Sequence, residues 1–372
     1  MKSIGKLLLL LLFFFLVACG DSPSGNGDQS ASPSSAIKES GSAVQPLVEL
    51  EADMEGVAVR KPWTGDFDTM LENRVVRVLT VYGMGRYYLD DGQEKGATYE
   101  MFKMFESFLN ERYERKHIRI HVVFVPLARD QLMPALLAGH GDIVAAGLTI
   151  TPERFLSVDF SDPVTKTLSE ILVTGPSAPP IDNLEDLAGQ EISVRSSSSY
   201  HASLVSLNEQ FRKQGLEEIK IGQIPEQLED EDILEMVSGG LLHWAVVDDY
   251  KAGIWSSVFD KLTPREDLVF RSDGRIAYAM RKDSPQLAAL LNEFVSTHKQ
   301  GTLHGNILIN RYIKDFDWTK NALNTDDYAR FEEVAEIFQK YGNQYGIDYL
   351  MVAAQGYHCL LYTSPSPRDF KY

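Results

Sequence analysis

The sequence predicts an α/β fold of two lobes with mostly parallel sheets, followed by a truncated α-helical segment. Short apolar strands alternate with amphipathic helices over the first lobe, which is typical of strands joined by helical crossovers. Two further apolar strands, Ile171–Thr174 and Arg275–Arg281, are expected to connect the lobes as hinges. At 372 residues the chain is long enough to bury two cores.

The composition excludes several classes of protein. The formal net charge is -17, and no cluster of Lys and Arg offsets it, so no nucleic-acid partner is expected. The two cysteines, Cys19 and Cys359, cannot form a disulfide framework. The eight histidines are scattered, and no Ser/His/Asp arrangement is adjacent in the sequence. Neither a metal nor a cofactor is expected.

Residues 1–19 are predicted to be a lipoprotein signal peptide. Two lysines precede the apolar run 7–17, which is too short to span a bilayer comfortably. The Leu-Val-Ala-Cys that ends this segment resembles the bacterial lipobox, which implies lipidation of Cys19. The alternative is an ordinary signal peptide cleaved near Ala18.

The residues after Cys19 predict where the anchor is sorted and how it is joined to the folded part. Gly20, rather than an aspartate, follows the cysteine, and by the sorting rule of lipoproteins this favours the outer membrane. Acyl chains bury enough methylene groups to hold a protein at a membrane. Residues 20–60 begin with a run rich in Ser, Gly, Pro and Ala, so they are predicted to be a flexible tether and linker.

The first lobe is predicted over about 73–172 and 273–316, and the second over about 173–272. Apolar periodicity predicts the secondary structure of the first lobe before residue 139. Its elements in order are a strand at 75–81, a helix at 99–113, a strand at 118–124 and a helix at 130–138.

A glycine-bounded apolar strand after Gly139 delivers Thr149, Thr151 and Arg154 to its carboxyl end. Ligands bind at that end of the strands in open α/β sheets. The planar fork of an arginine matches a carboxylate, and threonine hydroxyls can add hydrogen bonds. These three residues therefore predict a carboxylate site. The alternative is that Arg154 pairs with a neighbouring acid, Glu153 or Asp159, at the surface.

The second lobe carries a serine cluster and several acids. A strand at 191–195 precedes four serines, 196–199, and a helix is predicted to start near Tyr200. Serines at a helix start can meet an anion with hydroxyl and backbone N–H groups, or they can merely cap the helix. The acids of 226–235 are predicted to form a solvated face. The strand 244–249 ends in two carboxylates.

The motifs Leu-Thr-Ile-Thr-Pro-Glu-Arg at 148–154 and Asp-Phe-Ser-Asp-Pro at 159–163 closely resemble family 3 periplasmic solute-binding proteins. Within that family the chain is most similar to the amino-terminal module of the membrane-bound lytic murein transglycosylase F family. This likeness runs from about Lys61 to Tyr357. It implies a periplasmic-binding-protein fold over 61–316, in which a small amino-acid-like ligand lies between two lobes that close by a hinge.

The resemblance also implies roles for residues of the second lobe. Ser198 and Ser199 stand where a ligand-contacting hydroxyl is expected. Asp249, or its neighbour Asp248, stands where the family places an acid that binds the α-ammonium of the ligand; the alternative for Asp249 is a helix cap. Together with Arg154, this acid implies a zwitterionic ligand. Trp244 stands where the family commonly has an aspartate, so the ligand is not expected to match closely.

Residues 325–357 resemble the entry to the lysozyme-like lytic transglycosylase domain. In that domain the pattern continues Tyr-Gln-Glu-Ser, and the glutamate is the sole general acid and base. Here His358 follows Tyr357, and Cys359 occupies the place of the glutamate, so no catalytic residue is expected in this chain. Residues 358–372 show no helical period and are interpreted as a translated sequencing adapter, the alternative being a natural divergent tail.

The leading hypothesis is a lipid-anchored periplasmic solute-binding module of a lytic transglycosylase F-like protein. Its ligand would be an amino acid or a muropeptide-derived molecule, and peptidoglycan would be bound through the missing domain. The parent protein would cleave glycan strands to 1,6-anhydromuramoyl products, whereas this chain as written would be inactive. The alternative is an amino-acid-binding receptor of an ABC transporter, which the outer-membrane sorting and the extra helices disfavour.

Overall fold

The computed structural model describes residues 61–314 except 91 and 116, together with 340, 341 and 344. The predictions on Cys19, on Cys359 and on the C-terminal helical segment concern residues outside this part, apart from the three isolated positions. Within the described residues, no helix is both long and apolar enough to cross a membrane. The predicted two-lobed α/β fold is confirmed, with a separate sheet and core in each lobe.

The first lobe is built on a five-stranded sheet with a parallel-rich side. Its strands, in spatial order, are β4 (His121–Pro126), β1 (Val75–Thr80), β5 (Ile143–Thr149), β12 (Ile276–Arg281) and β6 (Val158–Phe160). β1 runs parallel to both β4 and β5, whereas β12 is antiparallel to β5 and β6. Because β1 and β5 are almost wholly buried, both consist mainly of apolar residues.

Helices cover this sheet on both sides, since each sheet face needs an apolar cover. The longest near the start places Phe102, Phe105 and Leu109 at helical spacing, and all three are fully buried. The helices of the first lobe are α1 (Phe67–Asn73), α2 (Ala97–Arg112), α3 (Arg129–Leu137), α4 (Pro152–Ser157), α8 (Pro285–His298) and α9 (Leu303–Ile309), followed by a π-helical turn at Asn310–Lys314. A small hairpin, β2 (Tyr88–Asp90) and β3 (Gln93–Lys95), precedes α2.

A buried ion pair fixes the start of β5 against β1. The Arg77 side chain donates from Nε and Nη2 to the two carboxylate oxygens of Asp142, at 3.0 and 2.9 Å, and both residues are fully buried. Arg281 Nη2 donates to the same carboxylate at 2.9 Å. Arg77 also donates to the carbonyl oxygen of Gly139 at 2.7 Å. The buried carboxylate of Asp142 is thereby paired with two guanidinium groups, and backbone carbonyls accept the other hydrogen bonds of Arg77, as burial of charged groups requires.

The second lobe has a largely antiparallel sheet. β7 (Leu168–Thr174) lies at its centre, between β10 (Trp244–Asp248) and β11 (Thr263–Gly274), and is antiparallel to both. A separate parallel pair consists of β8 (Glu191–Val194) and β9 (Lys220–Gln223). The helices are α5 (Ser199–Gln214), α6 (Asp230–Ser238) and α7 (Asp249–Ser256), with a 3₁₀ turn at Leu184–Leu187.

The lobes are joined at slightly different places from those predicted. The sequence placed the first hinge in 171–174, but β7 pairs along its length with β10 and β11 and belongs to the second lobe. The first connection is therefore 161–167, and the second is the short step from β11 to β12. The strand predicted at 118–124 instead spans His121–Pro126, because Ile118 is 56% exposed and lies outside the sheet.

Candidate functional site

Residues of both lobes line a small polar cavity of about 20 Å³ that is partly open to solvent. This space accommodates about one water molecule. A larger solute therefore needs the residues around the cavity to move. The cavity is lined by Arg129, Gly147, Leu148, Thr149, Arg154, Arg195, Ser198, Ser199, Tyr200, Asp230, Asp248 and Lys251.

The first lobe contributes the end of β5 and the start of α4. Thr151 is the N-cap of α4, where its Oγ1 accepts from the backbone N–H of Arg154 at 3.3 Å. Thr149 lines the cavity, whereas Thr151 is not among the lining residues. This short helix start directs the Arg154 side chain towards the second lobe.

The guanidinium of Arg154 bridges the lobes through backbone oxygens. It donates from Nη1 to the carbonyl of Thr149 at 2.7 Å and from Nη2 to the carbonyl of Ser197 at 2.8 Å. Among the described residues, no carboxylate lies within ion-pair distance of it, so the alternative pairing with Glu153 or Asp159 is not formed. Burial, and secondarily the charge of Arg129, lowers the pKa of Arg154 to about 10. The group therefore stays cationic at neutral pH.

The serine cluster of the second lobe is divided between two tasks. Ser198 caps α5: its Oγ accepts from the N–H of His201 at 3.3 Å and donates to the carbonyl of Arg195 at 2.7 Å. Ser197 Oγ donates to Glu226 at 2.5 Å and is turned away from the lining set. Ser198 and Ser199 line the cavity at the amino end of a 16-residue helix, an end that favours anions.

A buried carboxylate, Asp230, lies at the centre of the second lobe's share of the wall. Arg195 Nη2 donates to its Oδ1, Lys251 Nζ donates to its Oδ2 at 2.7 Å, and the Tyr200 hydroxyl donates to Oδ2 at 3.2 Å. Burial alone would raise the pKa of Asp230, but Arg195 and Lys251 hold it well below its ordinary value of 3.8. The carboxylate is therefore ionised at neutral pH, and both of its oxygens accept hydrogen bonds.

The prediction that the acids of 226–235 form a solvated face is wrong for two of them. Glu229 and Asp230 are only 5% and 2% exposed. Their partners come from distant parts of the chain, since Glu229 pairs with Arg129 and Asp230 with Arg195. The acidic run by itself does not indicate that cations from distant parts of the chain will pair with it.

Of the two consecutive aspartates, Asp248 rather than Asp249 reaches the cavity. β10 ends at Asp248, whose carboxylate lies 2.8 Å from Lys251 Nζ. The carboxylate of Asp249 instead accepts from two backbone N–H groups, those of Tyr250 at 2.7 Å and of Ser169 at 3.2 Å. The structure therefore places the sequence-predicted Asp249 at a helix start and outside the lining set.

Further contacts that involve side chains join the lobes beside the cavity. Arg129 donates from Nε and Nη2 to the carboxylate of Glu229, at 2.7 and 2.6 Å, in a bidentate ion pair whose side chains are 9% and 6% exposed. The backbone N–H of Met84 donates to Glu231 Oε1 at 2.7 Å. Burial, and then the charge of Glu229, raises the pKa of Glu231 to about 7.

The described residues contain no group of three or more His, Cys, Asp or Glu side chains that could hold a metal ion. The cavity wall instead consists of arginines, hydroxyls, two carboxylates and a lysine. Such a set binds polar organic groups, and above all anions, through hydrogen bonds and charge.

Curated relatives resemble most of the chain. A membrane-bound lytic murein transglycosylase F from Alteromonas mediterranea is 24% identical over 297 residues, which cover 78% of this chain and 60% of the relative. The protein of the same name from Pseudomonas putida is 25% identical over 311 residues, covering 81% and 59%. The chain thus spans about 60% of the length of these relatives.

Solved structures resemble the two-lobed part. A variant of ArgBP from T. maritima has a TM-score of 0.54 at 20% identity, with 67% of this chain and 99% of that chain covered. AbpA from Streptococcus pneumoniae, an amino acid ABC transporter substrate-binding protein bound to L-arginine, has a TM-score of 0.53 at 19% identity, covering 66% and 98%. These likenesses show the fold.

A family model matches residues 80–314. This range includes the whole second lobe and the five-stranded sheet of the first lobe, apart from the first five residues of β1. The match covers more than half of the chain and contains every residue that lines the cavity. The chain therefore belongs to the bacterial extracellular solute-binding proteins, family 3.

Proposed function

We propose that the two lobes capture a small carboxylate-bearing solute, with Arg154 as the anchor of its carboxylate. The observation that carries this proposal is the position of the guanidinium, which faces both lobes in the cavity. Within the described part of the chain, its hydrogen-bond partners are backbone oxygens alone. An arginine fork suits a carboxylate in shape and charge. Thr149 lines the same cavity and can donate a further hydrogen bond from its hydroxyl. Ser198 and Ser199 line it at the amino end of α5, where the Ser198 hydroxyl already donates to the carbonyl of Arg195.

Binding in this proposal requires movement of the lobes. The cavity of about 20 Å³ is smaller than any amino acid or similar solute. The two connections between the lobes, 161–167 and the step from β11 to β12, are the places where the backbone can bend. The solute would enter the open cleft, and the lobes would then close around it.

The wider setting that we infer is a cell-wall protein similar to lytic transglycosylase F. The names of the curated relatives and the predicted lipobox at Cys19 support it. The domain would then be a lipid-anchored periplasmic module, held at the outer membrane, whose ligand is amino-acid-like or muropeptide-derived. The parent protein would cleave peptidoglycan, whereas a chain with Cys359 in place of the catalytic glutamate is expected to be inactive.

A receptor that delivers an amino acid to an ABC transporter is the second candidate. The similar solved structures favour it, since they include substrate-binding proteins of amino acid ABC transporters. Fractionation of cells that produce the full chain, with Cys19→Ala as a control, separates the two. Cys19-dependent recovery in the outer membrane supports the cell-wall setting, because a transport receptor must reach an inner-membrane permease.

The carboxylate site is tested by calorimetric titration of the full chain with L-alanine, L-leucine and L-glutamate and with their deamino counterparts propanoate, 4-methylpentanoate and glutarate. We expect Arg154→Ala to weaken the tightest of these at least about 30-fold, since a lost charged anchor costs roughly 2 kcal/mol or more. Arg212→Ala is the matched control, because Arg212 is exposed and pairs with Glu218 on the surface. Equal affinities in wild type and Arg154→Ala would overturn the proposal.

A further inference from the structure

The cavity wall contains an ammonium group that belongs to the chain itself, that of Lys251. Its Nζ lies 2.7 Å from Asp230 Oδ2, 2.8 Å from Asp248 Oδ2 and 2.9 Å from the hydroxyl of Tyr200. The Lys251 ammonium donates hydrogen bonds to Asp230 and Tyr200, and the carboxylate of Asp248 lies within ion-pair distance of it. The Lys251 side chain is only 8% exposed. Two carboxylates and a hydroxyl thus already hold a buried ammonium ion.

Three of the four cations that line the cavity have an acidic partner. Arg129 pairs with Glu229, Arg195 with Asp230, and Lys251 with both lining aspartates. The fourth cation, Arg154, has no acid within ion-pair distance among the residues that the structure describes. Arg154 can therefore bind one anionic group of a solute.

One further carboxylate, that of Glu170, lies near the site but does not line it. Its Oε2 accepts from Ser203 Oγ, and Arg271 lies 3.9 Å away. Among the buried side-chain oxygens that the structure describes, Glu170 Oε1 makes no hydrogen bond. Burial raises the pKa of Glu170. Because Glu170 does not line the cavity and its Oε2 already accepts a hydrogen bond from Ser203, it does not replace the lining aspartates.

We propose that the solute is an anion without an ammonium group, because Lys251 already holds the carboxylates that would bind one. This inference rests on the proposed function, since it concerns the same site. It replaces the zwitterionic ligand that the sequence predicted with a simple carboxylate or a comparable monoanion. Arg154 then binds the anionic group, and Lys251 acts as a specificity-determining residue that excludes a second cation.

Binding of an α-amino acid would carry an unfavourable free energy that binding of a simple carboxylate does not carry. Its ammonium would lie beside the Lys251 charge, or it would displace Lys251 from Asp230 and Asp248. Either arrangement leaves a buried charge without a full set of partners, which is strongly unfavourable. The carboxylates of Asp230 and Asp248 also raise the pKa of Lys251 well above its ordinary 10.5, although burial alone would lower it. The lysine therefore stays charged at neutral pH.

The test compares, by calorimetry on the full chain, each amino acid of the panel with its deamino counterpart. We expect wild type to bind the deamino member at least about tenfold more tightly in each pair that binds. Lys251→Ala removes the ammonium and leaves room between Asp230 and Asp248, so we expect the preference to reverse towards the amino acid. Lys213→Ala, an exposed lysine of α5, is the matched control and should keep the wild-type ratio.

Each outcome has a distinct meaning. A wild type that prefers the amino acids, with binding lost in Arg154→Ala, overturns the inference and leaves the carboxylate site intact. No saturable binding of any member overturns the proposed carboxylate site and the inference with it. An unchanged ratio in folded Lys251→Ala refutes the role of Lys251. Should that variant not fold, Lys251→Gln, which keeps length and hydrogen bonding but no charge, must shift the ratio in the same direction, or the inference fails.

Discussion

The ion pair between Arg129 and Glu229 is expected to hold the two lobes together, and Glu229→Gln tests this. Glutamine keeps the shape and one acceptor, but it leaves the buried Arg129 charge without a counter-charge. Breaking a buried ion pair from one side costs about 3–5 kcal/mol, and a remaining neutral hydrogen bond returns about 1 kcal/mol. We therefore expect the contact between the lobes to lose about 2–4 kcal/mol.

The backbone N–H of Met84 reports this contact directly, because it donates across the lobes to Glu231 at 2.7 Å. If lobe separation exposes it, a loss of 2–4 kcal/mol accelerates its hydrogen exchange by about 30- to 900-fold. Exchange measured by mass spectrometry should show this rise in Glu229→Gln, while amides of β1 and β5 change little. Glu235→Gln, an exposed acid on the same helix, is the control.

Two results would refute this reasoning. Protection of Met84 within about threefold of wild type would mean that the ion pair contributes nothing to lobe contact. A uniform rise in exchange across both lobes would mean that the pair stabilises the folding of a lobe, not the contact between lobes.

Two further predictions concern stability. Burial raises the pKa of Glu231 from 4.5 to about 7, so the folded chain binds the proton of this carboxyl more tightly than the unfolded chain does. The contribution of Glu231 to the free energy of unfolding therefore falls as pH rises from about 4.5 to 7, by at most about 3 kcal/mol. Urea unfolding at pH 5, 6, 7 and 8 should show this slope in wild type and a smaller one in Glu231→Gln; equal slopes would contradict the assignment. Asp142→Asn leaves the buried charge of Arg77 uncompensated and should lower the free energy of unfolding by about 3–5 kcal/mol. A change as small as that of the exposed control Asp162→Asn in the same urea titration would contradict it.

Much of the fold follows from local sequence patterns. The apolar run that becomes β5 is nearly continuous because the strand is buried on both faces, and it is bounded by glycines. The Thr-Pro-Glu-Arg that follows is a helix start, with Thr151 as N-cap and Pro152 in the first turn. A strand end and a cap together fix the direction of Arg154, so the sequence could place this residue at the cavity.

The acidic half of the site depended on information that local patterns do not hold. Whether Asp248 or Asp249 faces the cavity depends on whether β10 ends at one residue or the next. The pattern of apolar residues does not distinguish two adjacent aspartates. The burial of Glu229 and Asp230 depends on Arg129 and Arg195, which lie 100 and 35 residues away in the chain. An acidic run next to an amphipathic helix favours a solvated face unless such distant cations are known to approach it.

The pair formed by Asp248 and Lys251 shows how burial changes the meaning of a common sequence feature. An acid and a lysine three residues apart at a helix start are usually exposed, and such a pair contributes little. Here both side chains are less than a tenth exposed, and both face a cavity. The Lys251 ammonium therefore loses its water during folding, before any solute binds. A solute without an ammonium of its own has only its anionic group to desolvate on binding. The same two residues that look like an ordinary helix-start pair thus determine the charge of the solute that the cavity favours.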